Sequence, residues 1–325
     1  MKGNKNLSSL ISENFVWILL ILLWFFAGMV NKAFFSYLNI VNLLVHSIIL
    51  GILTLGGSLC LISGFFDLTV ESTLVFTGLL AGWLISSDSL ASGLLLNPVL
   101  TIIIMLITGF LIGIINGLLV AYQKMNPFIT TLAMSIVLTG LSVYISKGKS
   151  IYPLNSTFNY LGGAKIYGLP VSIIFLIFLY ILFHIILTYT PLGRKFYAIG
   201  SNIDAARAAG INVELTVLTA YALSGLLAAC AGWVLAGRLN SVSSHMSSGL
   251  IMYIFAAAVI GGVKLSGGRG RILGIFGGVL LISSVNNFMN LSHVNAFLIQ
   301  ATTGFIILIA MFIDTMKENY FLSNK

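Results

Sequence analysis

Long apolar runs follow one another along almost the whole of this chain of 325 residues. A helix that spans a bilayer needs about 20 predominantly apolar residues. Ten segments fit that length, at roughly 15–31, 40–63, 68–86, 98–121, 128–146, 169–188, 214–235, 250–263, 272–290 and 296–314. The eighth is short, and almost nothing polar separates the second from the third. We predict an all-α fold: a polytopic bundle of about ten transmembrane helices that forms a single domain over residues 1–325.

Few residues of the chain carry a charge. Asp, Glu, Lys and Arg make up 7% of it and apolar residues 58%, whereas a soluble domain carries roughly 25% charged residues. So few charges cannot cover the surface of a water-soluble globule. The net charge of +8 could suggest a nucleic-acid partner, but the basic residues lie mostly in short segments between apolar runs, which is typical of orientation signals. The predicted partner is a lipid bilayer.

The distribution of basic residues predicts the orientation of the bundle. With the N-terminus inside, ten spans return the C-terminus to the same side. The inside segments then hold eleven basic residues: Lys2, Lys5, Lys124, Arg194, Lys195, Arg207, Lys264, Arg269, Arg271, Lys317 and Lys325. The outside segments hold five: Lys32, Lys147, Lys149, Lys165 and Arg238. The positive-inside rule therefore places both termini in the cytoplasm.

The most polar stretch of the chain is an internal connection at about residues 189–213. Asn202 or Ser201 can cap a short helix there, with Asp204 in its first turn, and Gly210 can end it. The alanines in between allow another surface to approach closely. Because a hairpin needs no such helix merely to turn the chain, we interpret it as a docking element.

Two carboxylates lie near the start of the third apolar run. Asp67 and Glu71 are four residues apart and project from one side of a helix that begins near Asp67. Carboxylates inside a membrane are costly and usually functional. Asp67 stands where an N-cap is expected, so capping is favoured over a ligand role. Glu71 lies one turn deeper, and it either pairs with a basic residue of another helix or faces an aqueous path.

No motif for enzyme chemistry is present in the sequence. A phosphate-binding loop of the form Gly-x-x-x-x-Gly-Lys-Ser/Thr is absent, so this chain is not expected to hydrolyse ATP. The segment around Gly267, Gly268 and Arg269 looks superficially like such a loop, but it lacks the Lys-Ser/Thr pair. We interpret it as a tight cytoplasmic turn rather than an anion site. The four histidines are scattered, and no metal site is predicted.

A weak internal repeat links two parts of the chain. Residues 113–118, which include Asn116, precede Asn126 at nearly the same spacing as residues 283–288, which include Asn286, precede Asn295. In the predicted topology these helix pairs cross the membrane in opposite directions. Inverted repeats of this kind are common in transport proteins, with the substrate path between the halves.

Five blocks of sequence, in order, resemble the permease subunits of ribose-type carbohydrate ABC importers. They are residues 63–72, 116–132, 193–211, 261–272 and 286–287. Each block alone is a modest match, whereas the five together extend the similarity over nearly the whole chain. The resemblance implies a multi-pass permease of the bacterial inner membrane that imports a monosaccharide.

The resemblance also implies partners and site residues. The partners are a second permease copy or paralogue, a cytoplasmic ATPase that holds ATP and magnesium, and an extracytoplasmic sugar-binding protein. The residues it assigns to coupling with the ATPase are Gly200, Ser201, Asn202, Asp204, Ala205, Ala206, Arg207, Gly210 and Ile211. Candidates for the translocation path or a helix start are Asp67, Glu71, Asn116 and Asn286. This chain itself is expected to bind no cofactor.

The sequence departs from the family pattern at two places. Glu71 stands where the family usually has glycine, and residues 249–253 lack the acidic residues that are common there. The sugar therefore stays open. Three other functions also stay open: a branched-chain amino-acid ABC permease, an ion-coupled secondary transporter that uses Asp67 or Glu71, and a structural membrane scaffold.

Overall fold

The structure is a computed structural model that describes residues 14–295, 297–306, 308–309 and 312. Its α-helices, in chain order, are α1 (Phe15–Val30), α2 (Tyr37–Ile62), α3 (Val70–Ile85), α4 (Pro98–Gly117), α5 (Pro127–Ser146), α6 (Ser156–Gly163), α7 (Val171–Tyr189), α8 (Pro191–Ser201), α9 (Ile203–Ala208), α10 (Val213–Leu239), α11 (Leu250–Ile260), α12 (Ile272–Leu291) and α13 (Phe297–Ile306). A 3₁₀ turn (Lys32–Phe35) precedes α2, and a π-helical turn (Leu118–Tyr122) extends α4.

Each of the ten predicted spans contains one apolar helix, which confirms the all-α membrane fold. Within the described residues, six helices are long and apolar enough to cross a membrane: α2, α4 with its π turn, α5, α7, α10 and α12. The helices α1, α3, α11 and α13 are apolar but shorter. Helices α4 and α5 each begin at an Asn-Pro pair. Asn97 and Asn126 cap them by accepting hydrogen bonds from Val99 N–H (2.9 Å) and Ile129 N–H (3.2 Å).

The structure adds elements that the sequence did not predict. The connection between α5 and α7 contains α6 and a hairpin of two short strands, β1 (Lys165–Ile166) and β2 (Leu169–Pro170). The connection between α7 and α10 contains a second helix, α8, ahead of the predicted one. We refer to the two ends of the bundle by these helices, as the α6 end and the α8–α9 end.

Helix α10 lies at the centre of the bundle and packs against α2, α3, α4 and α6. Its contact with α4 depends on glycines spaced four residues apart, because a Cβ atom at Gly113 would overlap the Tyr221 backbone. Gly109 meets Gly225 across the same seam. Within a bilayer the hydrophobic effect does not drive helices together, so they associate by close backbone packing, which small residues allow. The glycine pattern thus has the packing role that the sequence suggested.

Two apolar helices are preceded by non-helical chain that runs inside the bundle. Residues 63–69 connect α2 to α3, and Asp67 in this segment is 2% exposed. Residues 240–249 connect α10 to α11, and Val242 and Met246 in that segment pack against Gly82 and Gly78 of α3. Non-helical backbone at membrane depth is tolerated only where protein or a wet cavity surrounds it. Each segment is partly buried: Asp67, Val242 and Ser247 are enclosed by protein, whereas Gly64 and Gly249 are exposed.

The two helices that contain the predicted repeat run in opposite directions. Arg238 near the end of α10 reaches the Val45 carbonyl near the start of α2 (3.4 Å), so these helices are antiparallel. Gly117 near the end of α4 packs on the first part of α10, so α4 is parallel to α2. Asn287 near the end of α12 bonds Asn39 near the start of α2. Helices α4 and α12 therefore run in opposite directions, as the inverted repeat predicts.

Candidate functional site

A buried polar cluster stabilises the non-helical segment 63–69 between α2 and α3, which we call the break. One carboxylate oxygen of Asp67 accepts hydrogen bonds from Thr69 N–H (2.9 Å) and Thr69 Oγ1 (2.5 Å). The other accepts from Ser224 Oγ of α10 (2.7 Å). Asn116 Nδ2 of α4 donates to Thr69 Oγ1 (2.9 Å). Because Ser224 bonds the carboxylate directly and Asn116 bonds it through Thr69, the cluster ties the break to both α10 and α4.

This cluster corrects the interpretation of Asp67 as an N-cap. The capping residue of α3 is Thr69, whose own side chain makes no capping bond. Asp67 lies two residues earlier and shapes the turn that leads into the helix. Its contact with Ser224, 157 positions away, makes it a tertiary anchor. Ser224 was missed by the sequence analysis, although a hydroxyl inside an apolar helix is a signal for such a contact.

Glu71 does something that neither predicted alternative described. Its Oε1 accepts from Gly249 N–H (2.7 Å) and its Oε2 accepts from Ile251 N–H (2.8 Å). These amides belong to the N-terminus of α11, which has no side-chain cap of its own. The first amides of a helix lack intrahelical partners and favour a negative charge. Glu71, half-buried in the first turn of α3, therefore caps a helix of the opposite half.

Aromatic rings extend this contact between the halves. Phe66, which lies in the break before α3, contacts Phe255 of α11, with ring centroids 5.9 Å apart. The same ring contacts Phe128 at the start of α5 (6.5 Å). We call Glu71, Gly249, Ile251, Phe66 and Phe255 the crossover contact, because they join the start of α3 to α11. These two helices, each preceded by non-helical chain, are called the broken helices below.

The remaining path candidates lie in different places. Asn116 is fully buried and joins the Asp67 cluster. Asn286 lies apart from it and accepts a hydrogen bond from Thr303 of α13 (3.3 Å). The neighbouring Asn287 exchanges two side-chain hydrogen bonds with Asn39 (3.0 and 2.9 Å) and thereby joins α12 to α2. The structure thus groups three of the four candidates near one break and leaves Asn286 elsewhere.

A junction of glycines lies at the α8–α9 end. Gly268 N–H donates to the Ile62 carbonyl at the end of α2 (2.8 Å). A Cβ atom at Gly200 would overlap both of those groups, and one at Gly267 would meet Gly64 Cα at 2.7 Å. We call Ile62, Gly64, Gly200, Gly267 and Gly268 the glycine junction.

The glycine junction corrects the position of two predicted coupling residues. Gly200 and Ser201 end α8 rather than start the short helix, and Ser201 Oγ donates to the Tyr197 carbonyl (2.8 Å). The turn after α11 also has the predicted form, because the Gly267 and Gly268 amides donate to protein carbonyls and Lys264 N–H donates to the Arg269 carbonyl (3.1 Å).

Helix α8 is fixed to the same turn by Tyr197. Its hydroxyl donates to the Gly270 carbonyl (2.8 Å). Burial raises the pKa of Tyr197, and the nearby Arg271 opposes that rise. The hydroxyl therefore keeps its proton and acts as a donor at physiological pH.

Helix α9 projects from the bundle. Asn202 caps it by accepting from Ala205 N–H (2.9 Å). Arg207 pairs with Glu214 at the start of α10 (2.6 Å). Ala206 is the buried member of the helix, and Asp204, Ala205 and Ala208 are exposed.

The end of α9 also has the predicted form. Ala209 caps it, and Gly210 follows with φ +80°. Ile211 N–H then bonds the Ala206 carbonyl (3.1 Å). The exposed residues of the helix are the small Ala205 and Ala208 together with Ile203, Asp204 and Arg207.

A prediction follows for the buried carboxylate. Asp67→Ala should lower the free energy of unfolding by about 3 kcal/mol, because Ser224 and Thr69 lose their buried acceptor. Asp67→Asn, which retains one acceptor oxygen, should cost less. Thermal unfolding of purified protein in detergent would rank the variants. Equal melting temperatures for wild type and Asp67→Ala would show that the cluster does not hold the break.

Helices that run in opposite directions, and apolar helices that follow partly buried non-helical chain, are common in membrane transport proteins. Residues 39–313 match the family described as "Branched-chain amino acid transport system / permease component". The chain is 37% identical to the ribose import permease of Bacillus subtilis over 302 residues, 92% of this chain and 91% of that protein. It is 32% identical to the ribose import permease of Haemophilus influenzae (96% of each chain).

A further relative is the L-arabinose transport system permease of Escherichia coli, which is 34% identical over 88% of this chain and 85% of its own length. The chain therefore belongs to this permease family, and its relatives place it among the permeases of ribose-type ABC importers. No solved structure matches it.

Proposed function

We propose that this chain forms the translocation path for a monosaccharide in a binding-protein-dependent ABC importer. The observation that carries the proposal is similarity along nearly the full length to permeases named for ribose and L-arabinose. The family description names branched-chain amino acids, but the relatives that cover this chain from end to end are named for sugars. The similarity therefore favours a sugar.

The proposed orientation puts the α8–α9 end in the cytoplasm. Seven of the sixteen basic residues lie at this end: Lys124, Arg194, Lys195, Arg207, Lys264, Arg269 and Arg271. Such a concentration is typical of cytoplasmic segments. Both termini then lie in the cytoplasm, and α6 with its hairpin faces the proposed extracytoplasmic binding protein.

The proposed partner at the cytoplasmic end is an ATPase, and α9 is its docking element. An exposed short helix whose alanines allow close approach suits a groove in another protein. ATP and magnesium would be held by that partner. Nucleotide binding can drive transport only if it favours one state of the whole assembly over another. The permease must therefore transmit a shift of α9 to the path.

A series of contacts offers a route for that transmission. Helix α9 follows α8 directly, and α8 packs on the glycine junction. The turn that contains Gly267 and Gly268 follows α11, and Glu71 caps the other end of α11. The route thus connects the docking helix to the break between α2 and α3. Both broken helices would shift if α8 and the turn move as a unit.

The coupling role of α9 predicts the effect of a change at its end. Gly210→Val should lower ATP-driven uptake by about tenfold, because valine at φ +80° costs 1–3 kcal/mol and displaces the helix end. A matched control is Gly148→Val at the α6 end, where φ is +72° and a Cβ atom likewise meets nothing within 4 Å. Uptake should be measured at equal chain levels. Equal loss in both variants would contradict the assignment of α9.

The partners and the solute can be identified in one experiment. An affinity-tagged chain, extracted in mild detergent, should copurify with an ABC ATPase. Mass spectrometry of the solute bound to the associated binding protein should identify a monosaccharide. An amino acid in that binding protein would overturn the sugar assignment. Purification without an ATPase under conditions that retain a known ABC complex would count against the importer itself.

A further inference from the structure

An apolar groove lies on the outer surface between α7 and α12. It is lined by Ile177, Ile181 and His184 of α7 and by Ile272, Leu273 and Phe276 of α12. Its volume is about 230 Å³. An apolar cavity of about 150 Å³ already binds benzene, so this groove can hold a longer stretch of hydrocarbon.

The inner wall of the groove is fixed by contacts of Tyr180. The Tyr180 hydroxyl donates to the Gly51 carbonyl of α2 (3.0 Å). The Tyr180 ring packs against the Phe276 ring with centroids 5.0 Å apart. These contacts fix the inner wall, whereas Ile181 and Leu273 at the rim are 56% and 60% exposed. The groove therefore opens towards the lipid phase.

The groove ends beside Arg271 at the α8–α9 end, where Arg194 of α8 also lies. Arg271 directly precedes the lining residue Ile272, and the Tyr197 hydroxyl bonds the adjacent Gly270 carbonyl (2.8 Å). Arg194 lies one helical turn before Tyr197 and so shares its face of α8. Both arginines are exposed. Residues 190–203 and 261–273 contain no acidic residue that would repel an anion near these two arginines.

We propose that this groove binds an anionic phospholipid, with one acyl chain between α7 and α12 and its phosphate at Arg194 and Arg271. The apolar walls match a hydrocarbon chain. The excess of positive charge at one end matches an anionic headgroup, because each basic residue near such a headgroup strengthens binding. A zwitterionic lipid fits the walls equally well but gains less from the arginines.

Native mass spectrometry of the full chain in detergent tests this proposal. Phosphatidylglycerol and phosphatidylcholine with identical acyl chains are titrated separately. Phosphatidylglycerol should bind at one high-affinity site, and Arg194→Gln or Arg271→Gln should each weaken it about fivefold, the value of one basic residue near the headgroup. Lys195→Gln is the matched control, because Lys195 lies two residues from Tyr197 and hence on another face of α8.

A second pair of variants tests the groove itself. Leu273→Trp should block the acyl chain and reduce the retention of phosphatidylglycerol, whereas Leu141→Trp on the exposed side of α5 should not. Both positions are exposed, so neither change disturbs the packing of the bundle. Equal retention of the two lipids would overturn the proposal. Equal weakening by Lys195→Gln and Arg194→Gln would overturn it as well.

Discussion

Glu71→Ala should lower ATP-driven uptake by about tenfold or more. The change removes both acceptors of the Gly249 and Ile251 amides, and hydrogen bonds to a charged group contribute about 1.5–3 kcal/mol each. The N-terminus of α11 then has no cap, and the crossover contact keeps only its Phe66–Phe255 ring contact. Glu71→Gln, which keeps one carbonyl oxygen, should show a smaller defect.

The Glu71 variants need a control carboxylate that also accepts backbone amides. Asp88 accepts from Leu90 N–H (2.8 Å) and Tyr152 N–H (3.2 Å) in the connections at the α6 end. Asp88→Ala should keep wild-type uptake, measured as radiolabelled sugar per unit of chain in membranes that contain the partners. Wild-type uptake by Glu71→Ala would show that the crossover contact plays no part in transport.

Gly200→Val should abolish uptake and destabilise the protein by about 3 kcal/mol. Even one Cβ atom at this position would overlap the Ile62 carbonyl and the Gly268 amide, and overpacking against backbone costs at least 1–3 kcal/mol. The glycine junction would open, and α8 would lose its fixed position. Gly140 offers the matched control, because it is also a helical glycine and a Cβ atom there meets nothing within 4 Å.

The Gly200 comparison has a distinct thermal readout. Gly200→Val should melt several degrees below wild type in detergent, since a loss of 1 kcal/mol lowers the melting temperature of a chain of this size by about 2–4 °C. Gly140→Val should have the same melting temperature as the wild type. A Gly200→Val protein that melts and transports as wild type would show that the glycine junction is not tightly packed in the membrane.

Apolar run length predicted the bundle well because the bilayer imposes one length on every spanning helix. The predicted topology likewise gave opposite directions to the helices that contain Asn116 and Asn286, which the contacts of α4 and α12 confirm. The number of helices long enough to span the membrane was harder to predict from the sequence. Helices such as α3 and α11 begin inside the protein, and a composition window cannot distinguish buried non-helical chain from the helix that follows it.

The contacts of the site were harder to predict than its location. The sequence singled out Glu71 as unusual but could not show that its partners are backbone amides 178 and 180 positions away. Nearly every residue has a backbone amide, so residue type does not indicate which amide is the partner. Ser224 did carry a signal, a hydroxyl inside an apolar helix, but its partner Asp67 lies 157 positions away. Gly200 was assigned to docking, whereas its close packing on Ile62 and Gly268 depends on tertiary contacts.

Reconstituted transport tests the central claim most directly. The chain would be placed in liposomes with its ATPase and binding protein, and uptake of radiolabelled ribose and L-arabinose would be followed with ATP supplied on the ATPase side. The account predicts uptake of a monosaccharide only when ATP, the ATPase and the binding protein are all present. Uptake by the chain alone, driven by an ion gradient, would contradict it.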